Sequence, residues 1–90
     1  MGYARRTDST HLMVVAAFRR AGWKVLQVFR IPNCPDLVVA KAGRTICVEI
    51  KGPKTKVTDQ QHSWHADWPG ETAIVRTVED VMDLSRNPAT

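Results

Sequence analysis

Between Asp36 and Lys51 the chain reads DLVVAKAGRTICVEIK, two apolar runs rich in β-branched residues separated by Ala42-Gly43. Such runs suit pleated strands, and a short glycine-containing break between them predicts a hairpin. If Ala42 and Gly43 form a two-residue loop, counting outward pairs Lys41 with Arg44 and sets Asp36 directly opposite Glu49. Both carboxylates then leave the same sheet face, and Lys51, two residues beyond Glu49, joins them because strand side chains have period two. A longer loop shifts that register by a residue.

The flanking segments set the order of elements. From Ser9 to Ala21, Leu12, Val15, Ala16 and Phe18 recur at helical spacing ahead of Arg19 and Arg20, with Gly22 placed to stop the helix. Asp8 or Ser9 can cap its start. The run WKVLQVF suits a strand, and RIPNCP breaks regular structure because Pro32 and Pro35 lack amide donors. After the basic loop GPKTK, Thr58 can cap a helix that carries Gln61, Trp64, His65 and Trp68 and ends at Pro69-Gly70. TAIVRT reads as a last short strand, Val78 to Ser85 as a closing helix, and RNPAT as a frayed end. Helix, three strands, helix, strand, helix predicts an α/β sandwich, in which the helix after the third strand lets the fourth run parallel to it. With 43% apolar residues, a chain of 90 is expected to form one domain, residues 1–90, around one modest core.

The longest apolar run, Leu12 to Phe18, falls far short of the roughly 20 residues that span a bilayer, and no leader pattern precedes it. Gly2 is not followed by the Ser or Thr that myristoylation needs, since Arg6 stands there. The expectation is a soluble protein without a membrane partner, in the cytoplasm. Cys34 and Cys47 show no C-x-x-C spacing and read as reduced, structural thiols. A net charge of +4 favours polyanionic partners without specifying any chemistry.

Chemistry concentrates on the hairpin. Two facing carboxylates repel and raise each other's pKa unless a cation sits between them. Mg²⁺ is commonly held by one or two carboxylates and keeps waters for substrate phosphate. Asp36 and Glu49 can supply those ligands, the Ile50 carbonyl a third, and Lys51 can orient a water and stabilise charge growing on a phosphate. The plainer reading is a solvated cross-strand ion pair. Against it, Val38, Val39, Ile46, Val48 and Ile50 make these strands apolar enough to be largely buried, where unpaired charge is costly.

At these residues the chain resembles a family. PDLVV followed by VEIKG matches the bipartite signature of the PD-(D/E)XK nuclease superfamily, and the compact order of elements is similar to its small stand-alone VRR-NUC branch of phages and bacteria. The likeness runs from about Arg6 to Leu84 and includes Thr58-x-x-Gln61-x-x-Trp64. It implies a restriction-endonuclease-like α-β-β-β-α-β core, a mixed central sheet flanked by helices. It also implies that Asp36 and Glu49 bind Mg²⁺ or Mn²⁺, that Lys51 assists the nucleophilic water, and that Gln61 supports the site. Many members carry a Glu on the first helix near the metal. Here only Asp8 and His11 could substitute, and His11 reads more readily as a cap or surface residue.

Trp64 and Trp68 could stack bases, but at helical spacing they read first as core. His62 and His65 lack a third ligand at zinc spacing. Arg5, Arg6, Arg19, Arg20 and Arg30 read as solubilising charge, whereas Lys54 and Lys56, on the loop leaving Lys51, could hold DNA phosphates. The expected function is metal-dependent DNA endonucleolysis. The contrary readings are a non-catalytic nucleic-acid-binding or assembly module and, more weakly, a structural phage protein. One site attacks one strand at a time, so paired cuts call for a homodimer. The likeness points to branched DNA such as four-way junctions, in a bacterial cell or phage-infected host.

Overall fold

The structure, a computed structural model, describes residues 9–32 and 34–86. The elements are α1 (Ser9–Arg20), β1 (Lys24–Gln27), β2 (Leu37–Lys41), β3 (Arg44–Ile50), α2 (Asp59–Asp67), β4 (Glu71–Val75) and α3 (Val78–Arg86). The strands form one mixed sheet in the order β1-β2-β3-β4. Its first two pairings are antiparallel, and β3 pairs with β4 in parallel through the α2 crossover. This is the α/β order of helices and strands expected from the sequence.

The β2–β3 turn explains the register. Ala42 and Gly43 both have positive φ, 52° and 80°, the mirror-image two-residue turn whose twist matches paired strands. Lys41 therefore pairs with Arg44 and Leu37 with Val48. One step further, Asp36 meets the end of β3, where its Oδ2 accepts the Ile50 N–H at 2.8 Å.

Alternation along those strands turns Leu37, Val39, Ile46 and Val48 to one face, where they are fully buried with Val14 and Phe18 of α1, Val75, and Val81 of α3. Each such side chain contributes about 1.5–3 kcal/mol, enough collectively to anchor a face that carries charge behind it. The stripe α1 turns inward is His11, Val14, Val15, Ala17 and Phe18. Leu12 and Ala16, expected on that stripe, are exposed instead, Leu12 by 63%, because they lie four residues apart on the neighbouring face of the helix.

The turn end of the sheet is closed by paired groups. Arg44 donates to both carboxylate oxygens of Glu71, at 3.0 and 2.5 Å, and to the Leu84 carbonyl at 2.6 Å. Hydrogen bonding to Arg44 holds the Glu71 carboxyl below its ordinary value. Trp23 is buried just ahead of β1, edge-on to Phe18, with its indole N–H donating to Ser85 Oγ at 2.9 Å. Among the described residues no helix is long and apolar enough to cross a membrane.

The other sheet face is covered thinly. Strand alternation puts Val38, Cys47 and Glu49 on it, and α2 lies against it, yet α2 buries none of its residues. The helix is held by its ends and by polar contacts rather than by a hydrophobic stripe.

Candidate metal centre

The site is assembled where β2 begins and β3 ends. The hairpin delivers Asp36 and Glu49, and α2 closes over them through one residue, Gln61. Its backbone N–H donates to Thr58 Oγ1 at 3.1 Å while its Oε1 accepts the Thr58 N–H at 3.0 Å, a complete capping box. With Oε1 committed, the amide nitrogen must face outward, and it donates to Glu49 Oε2 at 3.0 Å. One local helix-start signal thus fixes both the cap and the orientation of a site carboxylate.

The electrostatics follow from the crowding. Burial first, then the negative charge of Asp36 and a hydrogen bond between the two carboxyls, push Glu49 up to about 7, while Lys51 pulls the other way. The pair therefore holds a proton near neutrality. Asp36 Oδ2 is committed to Ile50 and Glu49 Oε2 to Gln61, leaving Oδ1 and Oε1 for that proton or for a cation in its place. This donor set fits a hard divalent ion that keeps most of its waters. The N–H and C=O of one extended residue leave toward the same neighbour, so the Ile50 carbonyl is directed to the Asp36 side as well. Among the described residues no group of three or more His, Cys, Asp or Glu side chains is placed to hold a metal ion.

The carboxylates border a cavity of about 300 Å³, also lined by Cys34, Pro35, Gln60, Gln61, Trp64 and His65. Burial and the neighbouring His62 lower the His65 pKa, so its imidazole is neutral at neutral pH. Lys51 is half-buried just past β3, its N–H donating to the Val75 carbonyl at 3.0 Å, and it is not among the residues lining the cavity. Lys54 and Lys56 are exposed on the following loop. That loop is pinned by Arg76, whose Nη1 donates to the Gly52 and Thr55 carbonyls at 2.7 and 2.6 Å.

Several expectations change here. Trp64 and Trp68 are not core: Trp64 is half-buried against the cavity and Trp68 is 43% exposed, because α2 meets the sheet through Gln61. His11 is neither a cap nor a surface residue. It is buried beneath Phe29, with Nε2 at 3.0 Å from Gln27 Oε1, and it is not among the residues lining the carboxylate cavity. Asp8, the other first-helix candidate, lies outside the described residues, as do Arg5, Arg6 and, beyond Arg86, the end read as frayed. The free thiols differ: Cys47 is buried, whereas Cys34 is exposed at the cavity rather than structural. Sequence reasoning overlooked Gln60 and Cys34. The spacing of Gln60, Gln61, Trp64 and His65 along one helix face was the available signal for the former.

No family model, curated protein or solved structure matches this chain.

Proposed function

We propose that the protein is a divalent-metal-dependent DNA endonuclease with the restriction-endonuclease-like arrangement of the PD-(D/E)XK superfamily. The observation that carries this reading is the facing pair Asp36 and Glu49, partly buried and crowded together so that Glu49 keeps its proton to about pH 7. Such repulsion destabilises a fold unless a cation relieves it in use. Mg²⁺ or Mn²⁺ would be held by Asp36, Glu49 and the Ile50 carbonyl. When bound, the ion supplies Lewis acidity at the scissile phosphate and a water of lowered pKa.

The chain's own residues do the rest. Gln61 keeps Glu49 turned toward Asp36. Lys51, on the same face two residues on, places an ammonium beside the attacked phosphate, orients the nucleophilic water and offsets the charge of the transition state. Lys54 and Lys56, exposed on a loop fixed by Arg76, track the flanking backbone. Two copies related by a twofold axis act on branched DNA, each cutting one strand.

The test is a panel of labelled duplex, flap, splayed-arm and four-way substrates incubated with the protein in Mg²⁺, Mn²⁺ or EDTA, with light scattering at micromolar concentration. Metal-dependent cleavage of branched substrates by a dimer is expected. Absence of cleavage under every condition would refute catalysis and leave a binding module.

A further inference from the structure

From the stacked indoles beside the carboxylates, we infer that Trp68, backed by Trp64, is a platform for an unpaired nucleobase next to the scissile phosphate. This deepens the endonuclease reading and rests on it for the position of the phosphate. The two rings are 5.0 Å apart at an interplanar angle of 10°, and His65 meets Trp64 edge-on at 5.3 Å. Trp64 lines the carboxylate cavity, so the stack runs outward from the metal centre without interruption. Its ring positions are fixed on both sides. Gly70 leaves room for the edge of Trp68, since a Cβ there would meet the indole nitrogen at 2.8 Å.

Among the described residues the hydrophobic core includes neither Trp64 nor Trp68. Helix α2 has no buried residue, and the core is completed by other elements. One face of Trp68 is taken by Trp64 and its edge lies against Gly70, yet Trp68 remains 43% exposed. Flat indole faces bind nucleobases of any sequence, and the exposed Lys54 and Lys56 with a net charge of +4 favour the accompanying phosphates. A base inside a duplex already has both faces covered by its neighbours. Only a nucleotide released from the stack, at a flap, a splayed arm or a frayed end, can offer a face to Trp68. The preferred substrate is therefore branched DNA with unpaired nucleotides at the branch point, ahead of a fully paired four-way junction.

The experiment is equilibrium binding in EDTA, read by tryptophan fluorescence and by anisotropy of labelled DNA, for the full chain and for Trp68→Ala and Trp68→Phe. Trp23 is buried in the core and reports folding rather than DNA. Single-stranded and splayed-arm DNA should quench the exposed indoles. Trp68→Ala should lower affinity for them by roughly 5- to 150-fold, the range for loss of one base–aromatic stack, and bring the preference for unpaired over paired DNA toward one. Trp68→Phe should restore most of both. An abasic site at the branch point should reproduce the alanine effect. An unchanged preference in Trp68→Ala overturns the inference, as does a loss of affinity that merely follows unfolding in thermal melts of both variants. Because no metal is present, stacking without any cleavage in Mg²⁺ would sink the endonuclease reading alone, and cleavage without a Trp68-dependent preference would sink the platform alone.

Discussion

Replacing Glu49 by Gln tests whether burial, with Asp36 beside it, makes Glu49 hold its proton toward neutrality. The unfolded chain ionises this carboxyl near its ordinary 4.5, whereas the folded chain holds the proton to about 7. Folding thus retains a proton between those values. The resulting stability is fully present below about pH 4.5, declines as pH rises, and is lost as pH passes through about 7. At about 1.36 kcal/mol per pH unit the gap corresponds to about 3–4 kcal/mol at most, and solvent screening of a half-buried group reduces this to about 1–2 kcal/mol. Urea unfolding in EDTA at pH 5 and pH 8 should show the parent losing about 1–2 kcal/mol more than Glu49→Gln, a midpoint difference of several degrees in thermal melts. Glu71 works in the opposite direction, because Arg44 holds its carboxyl low, but it is common to both proteins and cancels in the comparison. Parallel pH profiles for the two would refute the raised Glu49 pKa. Mg²⁺ added at pH 8 should return part of the parent's lost stability and none of the variant's.

Gln61→Glu keeps an acceptor for the Thr58 N–H but replaces the amide that Glu49 accepts with a third carboxylate; helix content should be unchanged and metal-free stability at pH 8 lower by about 1 kcal/mol in urea titrations. Equal or higher stability would mean that Gln61 does not support Glu49. Lys54→Ala combined with Lys56→Ala should weaken binding about equally on all sequences and reduce the salt slope by about two, measured by anisotropy across salt concentrations. Ala42→Asn should stabilise the hairpin by about 0.5–1 kcal/mol, because a left-handed conformation costs Ala more than Asn; a lowered melting temperature would contradict the turn geometry.

The turn is also where the sequence was most legible. Two β-branched runs about a two-residue break admit one register that buries Leu37, Val39, Ile46 and Val48 together, and that register brings Asp36 to Glu49 without any knowledge of the rest. Thr58 and Gln61 were legible for a similar reason, since a capping box is written within four residues. What escaped depended on how α2 meets the sheet. A Trp at helical spacing suggests a buried stripe, but α2 docks through a polar contact to Glu49, and the tryptophans are left at the surface beside the site. His11 was misjudged because its partner, Gln27, lies on β1, and only the folded sheet sets that amide against the helix. Cys34 lines the cavity from a proline-flanked stretch of sequence that has no periodicity to read.

The most direct measurement is single-turnover cleavage of one labelled splayed-arm substrate at pH 8 in Mn²⁺ and in EDTA, by the parent, Asp36→Asn, Glu49→Gln and Lys51→Met, with Mn²⁺ uptake followed calorimetrically on the same samples. The parent should cut only with metal. Asp36→Asn and Glu49→Gln should lose both metal uptake and cleavage. Lys51→Met should take up metal and DNA yet fail to turn over, because the lysine acts on the water and the developing charge. Cleavage by both carboxylate variants at the parent's rate would contradict the proposal that Asp36 and Glu49 hold the catalytic metal.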